Sequence, residues 1–164
     1  MTHAGDTMNA LTFALEGEIF AIDAGGVREI LELVPITDVP NAPAFARGLI
    51  NVRGRVVPLA YLRVTFGMAR PEPDEDTRII VIEIVLDREP AVVGILADKV
   101  YDVAGIETAS IEEAPKVGMR WRSECVRGIG KRNGDFIIIP DMGRIFGTEL
   151  SIAASRTPEE GKVS

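Results

Sequence analysis

Short apolar runs, separated by glycine, proline and charged breaks, set the pattern of this chain. Leu11–Leu15 and Glu18–Ile22 flank Glu16-Gly17 and predict a β-hairpin. Beyond Asp23, the residues Val27, Ile30 and Leu31 recur at spacings of three and four. That spacing predicts a brief helix capped by Asp23 and weakened by Gly25 and Gly26. Val34 to Ala44 holds Pro35, Pro40 and Pro43 and reads as a strand followed by a rigid connector. The central stretch is Arg47-Gly48-Leu49-Ile50-Asn51-Val52-Arg53-Gly54-Arg55-Val56-Val57-Pro58. Its two apolar runs favour extended chain and Gly54 supplies the freedom of a tight turn, so a hairpin with arginines near its tip is expected. Leu62 to Gly67 reads as another strand or a turn of helix.

Residues 68–77 form a charged, proline-containing break, the one internal boundary the pattern offers. Arg78–Leu86 and Ala91–Leu96 then predict a hairpin turning at Asp87-Arg88-Glu89-Pro90, and Tyr101–Ala109 a further strand. Glu112–Ser123 is polar and irregular, with Trp121 inside it as the expected cover of the second half. Val126–Ile139 predicts a hairpin turning at Asn133-Gly134, and Pro140–Gly147 closes the fold. Residues 1–9 read as a flexible terminus, 10–147 as the ordered domain and 148–164 as a polar tail.

The halves repeat one another. Arg47-Gly48-Leu49 answers Arg127-Gly128-Ile129, and Phe66-Gly67 answers Phe146-Gly147, both at an offset of 80; Pro58 answers Pro140 at 82. Ile22-Asp23 followed by Val27 and Ile30 resembles Ala97-Asp98 followed by Val100 and Val103. The expectation is a mainly β protein of two duplicated units, each a small barrel of about five strands, since closure removes exposed edges. Exchange of strands between the units is compatible with this pattern. Two such barrels side by side share a third apolar layer, whose groove suits a partner helix.

Composition narrows the function. Hydrophobic residues are 46% of the 164 and aromatics 5%, so a core built from Val, Ile, Leu and Ala is expected. A net charge of −7 argues against nucleic acid as the main partner, because phosphate binding needs a basic face. The one cysteine, Cys125, excludes an internal disulfide and is expected to be buried. No apolar run approaches the roughly 18–20 residues that span a bilayer, and no signal pattern opens the chain, so a cytoplasmic location is expected. Catalytic chemistry is poorly supplied. The only histidine, His3, lies in the terminus, and Asp74-Glu75-Asp76 and Glu112-Glu113 stand in solvated segments. Gly25-Gly26 lacks the Lys-Ser/Thr and βαβ context of a phosphate loop. No catalytic residue, metal or cofactor is expected. The candidates are partner contacts: Glu29 beside an apolar face, Arg53 as an interface anchor, Gly48 and Gly54 for the backbone geometry of the hairpin, and Val103 as core or groove lining.

Taken together, Val39-Pro40-Asn41-Ala42-Pro43, Arg47 to Gly54 and Val57-Pro58 resemble the chemotaxis coupling protein family, the CheW-like adaptors. Val27-x-Glu29-Ile30, Thr77 to Val81, Val93-Gly94-Ile95 and Asp98-Lys99-Val100 support the resemblance, which runs from about Phe13 to Phe146. It implies two SH3-like five-stranded β-barrel subdomains and no enzymatic activity. It also implies an adaptor tying the cytoplasmic tips of transmembrane chemoreceptors to the regulatory domain of a histidine autokinase, within arrays at the inner membrane. The positions matching family binding determinants are Val27, Glu29, Gly48, Arg53, Gly54 and Val103, with Val27, Arg53 and Val103 leaning toward the receptor. Length excludes a fused or whole kinase on this reading. Tyr61 departs from the usual Pro-x-x-Asp-Leu aspartate and is expected to alter a rim contact; Ala97 replaces a common valine. The alternatives are an adaptor of a non-flagellar chemosensory pathway, or a small-molecule-binding barrel or weak hydrolase with a polar pocket.

Overall fold

The computed structural model describes residues 6–69, 72–115 and 123–148. Strands β1 (Thr7–Leu15) and β2 (Glu18–Asp23) form the first hairpin, with Glu16 and Gly17 at φ 50 and 82. Then come β3 (Val27–Glu32), β4 (Thr37–Asp38), the hairpin β5 (Gly48–Val52) and β6 (Arg55–Ala60), and helix α1 (Leu62–Thr65). The second half repeats this series. β7 (Arg78–Leu86) and β8 (Glu89–Ala97) form a hairpin, β9 (Lys99–Glu107) follows, then the hairpin β10 (Val126–Arg132) and β11 (Asp135–Pro140). A helix, α2, occupies 142–148.

The pairing crosses between the repeats. One sheet has the order β10-β11-β2-β1-β9 and the other β3-β7-β8-β6-β5-β4. Each repeat's leading hairpin therefore sits in the sheet of the other repeat, joined there by a short parallel contact, β11 to β2 or β6 to β8. The sheets curl closed through equivalent segments. β4 lies on β5, and Glu112 exchanges N–H···O bonds of 3.0 and 2.8 Å with Ile129 of β10. Gly48 and Gly128 permit that closure. A Cβ on Gly48 would stand 2.9 Å from Ile36 Cγ2, and one on Gly128 would collide with Ile111 Cγ2 and sit 3.1 Å from the Glu112 carbonyl oxygen. The repeated Arg-Gly pair marks the point where each barrel shuts.

Alternation along the strands divides the apolar residues into three layers. Ile79 and Val81 of β7 point into the six-stranded barrel with Ile50, Val57, Leu59 and Leu96. Ile80 and Ile82 point the other way, into a central layer with Leu11, Phe13, Phe20, Ile22, Ile95, Ile138 and Phe146. The five-stranded barrel is filled by smaller groups, Ala10 and Ala21 with Ile106 and Ile137. The central layer is the seam between the barrels, and Cys125 is buried in it as expected.

Four sequence-based expectations change. The predicted helix over Val27–Leu31 is strand β3, paired with β7. A β-bulge between Val27 and Glu29 breaks the period of two, so that Val27 packs on the seam and Leu31 on the barrel interior, which imitates helical spacing. Thr7–Asn9 of the expected flexible terminus are strand residues opposite Glu107, Ile106 and Gly105. Pro58 is not the counterpart of Pro140: Gly48 faces Leu59 and Gly128 faces Ile139, so an offset of 80 carries Pro58 to Ile138. Val27 corresponds to Val103 rather than Val100. They face Ile82 and Leu11, which stand equally far from their hairpin turns. Trp121 lies outside the described residues.

Candidate partner-binding surface

Arg53 and Gly54 are the two central residues of the β5–β6 turn, between the paired Val52 and Arg55. Both have positive φ, 52 and 84, as a type I′ hairpin turn requires, and Asn51 Oδ1 accepts the Gly54 N–H at 2.8 Å. An arginine in the left-handed region is uncommon, and here the rigid turn holds its side chain clear of the sheet. The Arg53 side chain is 80% exposed. Its Nη2 and Nε donate to Glu29 Oε1 and Oε2 at 3.0 and 3.3 Å, a two-pronged contact that fixes the guanidinium plane. Glu29 reaches it because the bulge in β3 turns this residue toward the barrel mouth, where its side chain is 25% exposed. The hydrogen bonds from Arg53 hold the Glu29 carboxyl below the usual glutamate range, and the same bonds raise the Arg53 guanidinium.

Around this pair runs a groove of about 370 Å³, lined also by Arg28, Arg55, Val56, Pro90 and Val92. Arg28 is ion-paired to Glu83. Val56 is exposed beside Arg55. The site thus combines an aimed guanidinium with an apolar shoulder. Among the described residues no group of three His, Cys, Asp or Glu side chains is placed to hold a metal.

The six sequence candidates fall into separate places. Glu29, Arg53 and Gly54 come together at the mouth of the six-stranded barrel. Gly48 is buried beneath, where the barrel closes. Val27 and Val103 lie at the seam, in equivalent positions of the two repeats. Val27 packs against the central layer, and Val103, 57% exposed on β9, faces Leu11 of that layer. The expected rim role of Tyr61 is corrected: its ring is buried inside the six-stranded barrel with Leu59 and Leu96. The offset of 80 carries Tyr61 to Asp141, whose carboxylate accepts the Arg144 N–H at 3.0 Å in the first turn of α2. One repeat keeps the capping aspartate, and the other uses the position to fill its core.

Sequence reading missed the exposed apolar residues Val56 and Phe136, which occupy equivalent positions two residues past the Gly54 and Gly134 turns, and also Val85, Ile30 and Leu33. The available signal was parity. Val57 and Ile137 point inward, so their neighbours point out.

Comparison with known proteins agrees with this architecture. The family model for the CheW-like domain matches residues 9–149. The chemotaxis protein CheW of Klebsiella aerogenes is 33% identical over 148 residues, covering 89% of this chain and 87% of that one. The crystal structure of the scaffolding protein TtCheW from Thermoanaerobacter tengcongensis superposes with a TM-score of 0.75 at 30% identity, covering 89% of this chain and 92% of that chain. Protein PilI of Pseudomonas aeruginosa is 26% identical over 98 residues, covering 60% of this chain and 53% of that one. With two SH3-like barrels joined by an exchange of hairpins, the chain belongs to the CheW-like domain family, the non-enzymatic scaffold and adaptor proteins of chemotaxis.

Proposed function

We propose that this chain couples the cytoplasmic tips of chemoreceptors to the regulatory domain of a histidine autokinase, working in the cytoplasm at receptor arrays. The observation that carries the reading is the Glu29–Arg53 pair on its rigid turn beside exposed Val56. A guanidinium already fixed in direction loses little freedom on docking, and arginine flanked by apolar surface is the usual composition of an interface anchor. The barrel mouth is read as the kinase-facing surface, because its rim of turns suits another barrel, and this moves Arg53 away from the receptor side toward which the family resemblance leaned it. The seam at Val27 and Val103 is the receptor-facing surface, where an amphipathic helix finds apolar contacts.

A modest barrel-to-barrel contact is weak by itself and becomes stable when receptors hold many copies together. A receptor then acts by favouring one of two arrangements of packed elements. Similarity to PilI favours a second reading, an adaptor of a non-flagellar chemosensory pathway, and neighbouring genes discriminate between the two. Arg53→Asp tests the proposal. Asp tolerates the left-handed turn, and an exposed ion pair contributes little to stability. Kinase capture in a pull-down should disappear while the thermal midpoint stays within a degree or two, roughly the effect of a neutral surface change. Retained capture by the folded variant would remove Arg53 from the interface.

A further inference from the structure

The chain crosses between the two sheets twice, and the crossovers are built differently. At the first, β2 ends at Asp23, opposite Ala10, and the Asp23 carboxylate accepts the Gly25 N–H within its own turn at 2.8 Å. At the second, β8 ends at Ala97 and the Asp98 N–H donates to the Ala14 carbonyl at 3.0 Å, near the other end of β1. There the Asp98 carboxylate accepts from Arg63 Nη2 at 2.5 Å and Nε at 3.2 Å, and from the Glu16 N–H at 2.7 Å. Arg63 Nη1 also donates to the Ala69 carbonyl at 3.0 Å and stands 3.5 Å from Glu16 Oε2. Arg63 belongs to α1 and so to the six-stranded barrel, while Glu16 belongs to the turn of the five-stranded one. The Arg63 and Asp98 side chains are 15% and 25% exposed, so this pair is largely shielded from competing water, while the Glu16 side chain is about half exposed.

The repeat supplies an internal control. The offset that carries Gly48 to Gly128 and α1 to α2 carries Arg63 to Gly143, which has no side chain to make a clamp. At that end of the seam lies a cleft of about 320 Å³, lined by Ile22, Asp23, Gly26, Ile82, Met142 and Gly143.

We propose that Arg63 is a positioning residue: it pins the barrels together at one end of the seam, and they hinge about the Arg63–Asp98–Glu16 cluster with the Gly143 cleft as the yielding end. The angle between the barrels sets the relation of Val27 to Val103, one on each sheet. The inference goes beyond the adaptor reading and does not depend on it.

The test uses the full chain and residual dipolar couplings, which report the orientation and relative motion of the two barrels separately from the structure inside each. In Arg63→Met, couplings within each barrel should still fit, the alignment tensors of the barrels should diverge, and Glu16 amide exchange should quicken on the order of tenfold. Arg63→Lys, a single point charge, should fall between. In Gly143→Arg, whose Cβ would have only Asp141 Oδ1 nearby at 3.8 Å, the tensors should match at least as closely as in the wild type, with slower exchange across the cleft. Tensors that stay matched in Arg63→Met overturn the pivot, as does collapse of both barrels together. Unchanged or faster exchange across the cleft in Gly143→Arg, or tensors that diverge there, overturns the yielding end.

Discussion

At the scale of single residues, four positions show how one residue decides a local question. Gly48 and Gly128 are required by closeness to a neighbouring chain, since neither needs a left-handed backbone. Gly48→Ala should cost about 1–3 kcal/mol, the usual range for overpacking. Gly128→Ala should cost more, because part of its obstruction is the Glu112 backbone, which yields less than a side chain. Denaturant titration of the two variants ranks them, and equal losses would contradict the closure account. Tyr61→Asp restores a capping aspartate worth about 1 kcal/mol but removes a buried ring whose loss costs about 3–5 kcal/mol. A net loss of about 2–4 kcal/mol is expected by denaturant titration, and a stabilised variant would mean the ring contributes no packing. Glu29 gives a pH prediction. Its folded pKa is lowered, so the stabilisation it provides is present above the unfolded value and is lost as pH falls through the folded one. The carboxyl carbon of Glu29 should titrate below the ordinary glutamate range in the wild type and within it in Arg53→Ala. The same midpoint in both would separate the pair.

At the scale of elements, the hairpins were legible because each is local. A two-residue turn at Glu16-Gly17, Arg53-Gly54, Asp87-Arg88 or Asn133-Gly134 joins strands whose apolar runs are readable in sequence. β3 was not legible, since a bulge displaces one residue and converts strand spacing into apparent helix spacing. The Glu29–Arg53 contact was legible only as two separate candidates. The partners are 24 positions apart, Glu29 on β3 and Arg53 in the turn of a hairpin that does not pair with β3, so no local pattern joins them. The equivalence of Val27 and Val103 was hidden for a related reason. The connection before β3 is a short turn at Ala24–Gly26, while β9 follows β8 almost directly, so counting from the preceding aspartate misaligns the strands.

At the scale of the whole molecule, the duplication was visible in sequence as repeated Arg-Gly and Phe-Gly pairs, and so was the need for a shared apolar layer. Which hairpin joins which sheet was not. The joining contacts are parallel pairs of only one or two residues, too short to impose a pattern. The exchange means that each barrel contains chain from both repeats. On the proposed function, the barrel mouth at Glu29 and Arg53 is the kinase-facing surface of a chemotaxis adaptor. Calorimetric titration of the regulatory domain of a chemotaxis histidine kinase from the same organism, into the wild type and into Arg53→Asp, tests it most directly. Saturable binding by the wild type, lost in a variant with an unchanged thermal midpoint, is the predicted result. Equal binding by both proteins would contradict it.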